Sequence, residues 1–335
     1  MTEEDIQKLV LHKSMPGNPS AIDLKETHIS WVLLTEQFAF KIKKPIKLPF
    51  LDFSSLEKRK YYCEQELVLN KRFSPAIYLS VLPVKKLKDR YAIGTAEGIT
   101  EDFCVQLKKL DVEKELKRLL VAGKVNPKQI IELAKTVAVF HASSPPLLKD
   151  FNKKEEQKKF EAILMSFSQN EFPAIYFKII EDAVKASYSF IEKNEKLFAQ
   201  RYENGYVKDC HGDLHSGNIF LYPKPVLFDC IEFNKDFREI DTLSEIAFPA
   251  MDLERYNKPD LSNLFVDYYL KYSHQKLEEA SYKLLTYYKM YRANIRAKVN
   301  LIKIKEAVLE SEKEAALSEA KNYLSLLATY TQQLV

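Results

Sequence analysis

The sequence predicts an α+β fold, with a small strand-rich N-terminal part carrying one long helix and a larger, mostly helical C-terminal part. Three observations predict it. Short runs of β-branched and aromatic residues alternate with turns as far as Lys108. From Val112 onward the apolar spacing becomes helical. A loop dense in polar, chemistry-bearing residues, His211-Gly212-Asp213-Leu214-His215-Ser216-Gly217-Asn218, lies inside the helical part and is followed by a short apolar run ending in Phe228-Asp229. At 335 residues, 46% hydrophobic and 29% charged, the chain has the make-up of an ordinary globular protein able to bury one large core or two modest ones.

The elements follow in order. An acidic start and apolar spacing predict a helix over Glu3–His12, then a turn region with Pro16, Gly17 and Pro19. Thr27–Val32 and Phe38–Ile42 read as paired strands broken by Thr35-Glu36-Gln37. A helix is expected from Ser55 to Phe73, and strands over Tyr78–Val84 and Phe103–Leu107 with a turn between Gly94 and Gly98. Asn126 and Pro127 open a helix running to His141, as N-cap and first-turn residue. Lys153–Ser166, Pro173–Glu192 and Leu261–Leu327 are expected to be mostly helical. Ile219–Leu221 and Val226–Phe228, joined by Pro223-Lys224-Pro225, form a hairpin with Asn218 at one end and Asp229 at the other. The expected division is a helical N-terminal extension (1–25), a strand-rich region (26–108) and a mostly helical region (109–335).

The order His-x-Asp-x4-Asn, followed by a hydrophobic strand ending in Asp, is that of the protein-kinase catalytic core. The segment Asp209–Phe233 resembles the aminoglycoside phosphotransferase-like family, whose relatives include choline, fructosamine and homoserine kinases. The resemblance implies a protein-kinase-like two-lobed fold, with a small β-rich N-lobe and a larger helical C-lobe, and ATP- and Mg²⁺-dependent phosphorylation of a hydroxyl group on a small molecule. Asp213 would accept the hydroxyl proton, His211 would orient the loop, and Asn218 and Asp229 would offer hard oxygen ligands to Mg²⁺. Thr27–Val32, Lys41–Pro45, Phe50–Ser54 and Ala250–Glu254 further resemble an uncharacterised bacterial subgroup of that family, without supplying a substrate.

Such a site needs a strand lysine for the phosphates and a helix glutamate to hold it. Phe38-Ala39-Phe40-Lys41-Ile42 resembles the V-A-I-K pattern and makes Lys41 the candidate, with Lys43 on the same strand face as the fallback. On the following helix Glu66 is preferred and Glu64 is the alternative. Cys104–Lys108 would run past the adenine, with backbone groups at Gln106 and Leu107 contacting the base. His141 and Asp241 are read as structural residues, Asp241 holding the catalytic loop. The chain has only 7 glycines, with none between Lys25 and Lys41, so the turn at Thr35–Gln37 would have to cover the phosphates without them. That shortage keeps a nucleotide-binding pseudokinase or regulatory module as an alternative, and a kinase acting on protein as a third reading. No G-x-x-x-x-G-K-[ST] loop is present, which excludes Walker-type chemistry.

Lys289, Arg292 and Arg296 share one helix face, where they either receive an anionic group or form a solvated basic surface. Asp252 and Glu254 are too few to mark a polycation site. A formal charge of +4 without a dense basic stripe argues against nucleic acid as a partner. Four cysteines without C-x-x-C spacing argue for reduced thiols. No apolar run is long enough to span a bilayer and the start is acidic rather than signal-like, so a cytoplasmic location without membrane contact is expected. The oligomeric state is not legible.

Overall fold

The computed structural model describes residues 1–164, 172–276 and 278–335. The chain opens with helix α1 (Glu3–His12), strands β1 (Asp23–Glu26), β2 (Ser30–Leu34) and β3 (Phe38–Lys43), and the short pair β4 (Lys47–Leu48) and β5 (Leu51–Asp52). Helix α2 (Leu56–Lys71) is followed by β6 (Tyr78–Leu87), β7 (Arg90–Ile93) and β8 (Ile99–Lys108). Helices α3 (Leu116–Val121), α4 (Pro127–Ser143), α5 (Lys153–Glu161) and α6 (Ala174–Glu203) lead to β9 (Val207–Asp209). Strands β10 (Ile219–Phe220), β11 (Val226–Leu227) and β12 (Glu239–Asp241) precede α7 (Thr242–Arg255), α8 (Pro259–Tyr272), α9 (Glu279–Glu306) and α10 (Glu310–Leu334). These elements form two compact units, residues 1–118 with 217–238, and residues 119–216 with 239–335. The expected parts 1–25 and 26–108 thus fall in one unit, which also takes in 109–118 and 217–238.

In the first unit a six-stranded antiparallel sheet has the order β1-β2-β3-β8-β6-β7. The edge strand β1, Asp-Leu-Lys-Glu, is mostly exposed and charged, which blunts an open edge and also erases the hydrophobic pattern that would announce it. Helix α1 has the expected bounds. Thr2 and Asp5 close a capping box, and Glu3, Glu4 and Asp5 meet the positive end of the helix dipole. It belongs to this unit's core instead of extending from it, because Ile6 and Leu9 are buried with Trp31, Leu33, Phe40 and Ile42. Helix α2, capped by Ser55, buries Arg59, Cys63, Glu66, Leu69 and Asn70 along one face. Arg59 anchors it to β8 through Asp102, with Nε 2.9 Å from both carboxylate oxygens.

In the second unit helices α4 to α10 pack around a core rich in aromatic side chains, including Phe190, Phe198, Tyr287 and Tyr288. Asn126 and Gln129 form the capping box that starts α4. Helix α6 runs on to Glu203, past the expected end at Glu192, with non-helical backbone angles at Asn194. Of the expected helix Lys153–Ser166, α5 ends at Glu161 and Ser166 lies outside the described residues, as does residue 277 within the expected Leu261–Leu327 stretch. Helix α7 was not expected. It is buried along nearly its whole length and contains Pro249, so it shows neither an amphipathic stripe nor an unbroken helical composition. None of the helices among the described residues is long and apolar enough to cross a membrane.

Candidate functional site

Two groups of predicted residues are built by separate means, one in each unit. In the first unit, Lys41 and Lys43 project from the same face of β3 toward α2. Lys41 Nζ is 2.6 Å from Asp229 Oδ1 and 3.0 Å from Glu66 Oε1. Lys43 Nζ is 2.7 Å from Glu66 Oε2 and pairs also with Glu232. Glu66 thus bridges both lysines, one oxygen to each, while Glu64 stands half-exposed near Lys60. The choice of Lys41 with Glu66 is the arrangement found, and Lys43 is a second, fully buried member instead of a spare.

Burial works against the charge on Lys41, but the carboxylates of Asp229, Glu66 and Glu232 outweigh it and hold the ammonium well above its ordinary pKa. Lys43 is held up in the same way, by Glu232 and Glu66 against burial. For Glu66 burial is overcome by the two lysines, and its carboxyl is held down to about 2. Glu232 is pushed up, burial outweighing the pull of Lys43. Sequence reading missed Glu232. Its signal was its position three residues beyond Asp229, but nothing in the composition around it distinguished it.

Asp229 itself has a left-handed backbone, φ 62°, uncommon for a residue with a side chain though better tolerated by aspartate and asparagine than by most. Its N–H donates to the Tyr78 hydroxyl at 3.0 Å, and Phe228 packs against Tyr78 and Phe220. Asn70 accepts the Cys230 N–H at 2.8 Å, and Ser74 donates to the Leu227 carbonyl at 2.9 Å, so the end of α2 and the turn after it hold the chain before and after Asp229. The Asp229 side chain keeps 38% of its surface exposed. Across the hairpin the Asn218 carbonyl accepts the Phe228 N–H at 2.9 Å, which sets Asn218 at the same end as Asp229.

Gln106 and Leu107, expected in a strand and at the base, are strand residues. Both are inside β8, paired with β3 on one side and β6 on the other, so their backbone groups belong to the sheet. Ser80 donates to the Gln106 side chain at 2.9 Å, and Leu107 is buried. The chain leaves the sheet only at Lys109–Asp111. The turn at Thr35–Gln37 is a tight hairpin closed by Thr35 and Phe38, and Glu36 at its tip accepts from Ser20 and Ala21. Because β1 precedes β2, a second glycine-free turn, Thr27–Ile29, stands at the opposite end of β2.

The second unit holds the loop 209–216. Gly212 has φ 88°, a backbone shape that a side chain would strain. Glu245 on α7 accepts the backbone N–H of His211 at 2.6 Å and of Gly212 at 3.1 Å. Arg292 on α9 donates to the Gly212 carbonyl at 3.1 Å and to the Ser244 carbonyl at 3.0 Å. Asp252 accepts both the N–H and the hydroxyl of Ser216, each at 2.7 Å, and the Tyr323 hydroxyl at 3.1 Å. Asp241 does not hold the loop directly. It caps α7 through the Leu243 N–H and is clamped by Arg201, and so places the helix whose Glu245 holds the loop.

His211 is fully buried and its Nδ1 lies 3.4 Å from the Asp213 backbone N. Asp213 lies 3.5 Å from His215 Nε2. Burial raises the Asp213 carboxyl, but His215, Arg296 and His211 more than offset it, and the group is held well below the carboxylate range. His141 is buried, with Nδ1 2.8 Å from the Tyr269 hydroxyl, and desolvation pulls it down to about 3. It is a neutral core residue, as expected. His141, Cys210 and Glu245 lie close enough to share a metal ion. However, the Cys210 thiol is pushed far up by burial and Glu245 is occupied by the loop. Of the basic run on α9, Lys289 pairs with Glu254 at 2.5 Å and Arg292 is an internal strut, so these two do not form a solvated surface.

No family model matches the chain. It is 29% identical over 299 residues to an uncharacterized protein of Mycobacterium tuberculosis and to its counterpart in Mycobacterium bovis, a match covering 88% of this chain and 57% of theirs. The chain thus spans little more than half the length of these relatives. Among solved structures it is similar to choline kinase from Cryptosporidium parvum, with TM-score 0.57, 14% identity and coverage of 99% of this chain and 97% of that one. It is also similar to an aminoglycoside 2'-phosphotransferase in complex with GDP, with TM-score 0.55, 12% identity and coverage of 97% and 99%. A spectinomycin phosphotransferase in complex with ADP and spectinomycin gives TM-score 0.53, 11% identity and 98% coverage of each chain. The chain has the protein-kinase-like fold of the aminoglycoside phosphotransferases and of the choline and ethanolamine kinases.

Proposed function

We propose that the chain transfers the γ-phosphoryl group of ATP to a hydroxyl of a small molecule. The observation that supports this most is the ammonium of Lys41 suspended between Glu66 and Asp229, a cation fixed by one carboxylate and shared with a second that keeps an open face. Lys41 would hold the nucleotide phosphates, and Glu66, itself fixed by Lys43, would keep Lys41 extended. The stretch Lys109–Asp111 follows the sheet, and with the N–H groups of Lys109 and Asp111 taken by the Gln37 carbonyl and the Tyr222 hydroxyl, Leu110 between them would read the base. Asp213 would receive the acceptor proton as the hydroxyl oxygen bonds to the γ-phosphorus and the bond to the bridging oxygen of the departing ADP breaks. Its low basicity suits a loose transition state in which the proton moves late and orientation of the hydroxyl matters most.

The donor set fits Mg²⁺. Asp229 and Asn218 are hard oxygen ligands at one hairpin end, and Glu66, Glu232 and Asp229 carry one more potential negative charge than Lys41 and Lys43 balance. Bound there by Asp229 and Asn218, Mg²⁺ would neutralise charge on the phosphate oxygens.

A screen of hydroxylated metabolites for acceptor-dependent ATP consumption tests the reading. Wild-type protein is expected to consume ATP with at least one acceptor. Asp213→Asn is expected to lose about 10²- to 10⁴-fold in turnover while still binding nucleotide. Equal turnover by the two proteins would remove Asp213 from the chemistry. The absence of glycine from both turns flanking β2 favours a second reading, a nucleotide-binding module without turnover, which nucleotide binding with no acceptor in the screen would support.

A further inference from the structure

Arg296 lies on α9 one helical turn beyond Arg292, the strut of the Asp213 loop. Its guanidinium carbon is 5.7 Å from the centre of the Tyr323 ring. The Tyr323 hydroxyl bonds Asp252, whose other oxygen takes the N–H and hydroxyl of Ser216, three residues after Asp213. Arg296 is therefore built into the wall around the loop while part of its surface stays open. Its Nε is buried with no hydrogen-bond partner among the described residues. An unpaired buried donor on a charged group costs free energy until an acceptor reaches it.

The other charges nearby are spent. Asp252 has three hydrogen bonds, and Glu245 holds the loop N–H groups. Glu254 is taken by Ser262, Lys289 and Tyr330, and Arg292 by two carbonyls. A polycation approaching Asp213 would find these carboxylates already engaged, whereas an anion would find Arg296. One guanidinium, partly balanced by Asp213 and Asp252, suits a monoanion better than a doubly charged phosphate, and its planar fork matches the two oxygens of a carboxylate.

We propose that Arg296 binds the acceptor and that the acceptor is a hydroxy acid, its carboxylate held by Arg296 while its hydroxyl faces Asp213. This rests on the phosphotransferase reading above. The test uses matched triplets of small hydroxy acids, their amides and the corresponding amino alcohols, such as glycerate, glyceramide and 3-amino-1,2-propanediol. Nucleotide consumption is measured with wild-type, Arg296→Gln and Arg296→Lys proteins. The readout is the ratio of kcat/KM for acid over amide, which a general loss of folding or turnover does not change. The wild-type ratio is expected to favour the acid by about 10- to 100-fold, the scale of a charge-assisted hydrogen bond. Arg296→Gln should bring the ratio to about one, and Arg296→Lys should restore part of it. A wild-type preference for amides or amines, or an unchanged ratio in Arg296→Gln, would overturn the proposal while leaving phosphoryl transfer intact. Failure of MgADP to raise the Tm, with no consumption for any acceptor, would overturn both.

Discussion

The two groups of candidate residues are held in place by opposite means. In the first unit, charge holds charge: Lys41, Lys43, Glu66, Asp229 and Glu232 form a buried network in which every position depends on another ion. In the second unit, Glu245, Arg292 and Asp252 hold a loop mainly by its backbone N–H and C=O groups. The first arrangement suits a site that must exchange ions with a charged ligand. The second suits one that must keep a single carboxylate, Asp213, in fixed aim. Removing one ion from the first network strands a directly paired ion, whereas removing Glu245 leaves neutral amides unpaired and takes a charge from near Arg292, which keeps its two carbonyl acceptors, a smaller loss.

That difference orders the expected effects. Lys43→Met should cost about 3–5 kcal/mol in urea unfolding, because Glu66 and Glu232 lose a shared cation in the core. Adding Glu232→Leu should recover a good part of that loss, and no recovery would mean that packing around Lys43, and not charge, is what matters. Glu245→Ala should cost less, about 1–3 kcal/mol, for the loop N–H groups it leaves unpaired. A loss as large as that of Lys43→Met would erase the contrast between the two units.

The pH dependence separates the units further. Glu66 is held below its unfolded value, to about 2, so the unfolded chain binds the proton more readily. Its contribution is present above the ordinary carboxyl range and is lost as pH falls from about 4.5 toward 2. Glu245 is shifted the other way, chiefly by burial, so its ionisation weakens the folded state as pH rises through and above its ordinary value. Asp213, also in the second unit, runs as Glu66 does, so the comparison is made by substitution: Glu66→Gln should flatten the acid limb of the Tm curve and Glu245→Gln should not. The smallest effect is expected at the core histidine. Tyr269→Phe removes the Nδ1 partner of His141 and should cost about 1–2 kcal/mol, without changing nucleotide binding.

What could be read in advance follows the same division. Asp213, Asn218 and Asp229 were legible because their order along the chain is itself the signal, and Lys41 and Glu66 because each sits on an element with clear strand or helix composition. The supports were not. Glu232, Asn70, Ser74 and Tyr78 act through contacts that join β11 and the segment after it to β3, α2, the turn after α2 and β6, which no local spacing encodes. The buried face of α2 carries Arg59 and Glu66, so hydrophobic periodicity understated it. Gln106 and Leu107 were read both as strand residues and as base contacts, and the pairing of β8 with β3 and β6 on its two sides, which engages their backbone groups, is not encoded in local spacing. Helix α7, buried on all sides and carrying Pro249, hid Glu245, the residue that holds the loop.

The central claim is that Lys41, Glu66 and Asp229 form a seat for a magnesium-bound nucleotide. Calorimetric titration of ATP into wild-type and Asp229→Asn protein, with and without Mg²⁺, tests it most directly. The account predicts Mg²⁺-dependent binding by the wild-type protein and loss of that dependence in Asp229→Asn; identical binding by both proteins, or no binding by the wild type under either condition, would contradict it.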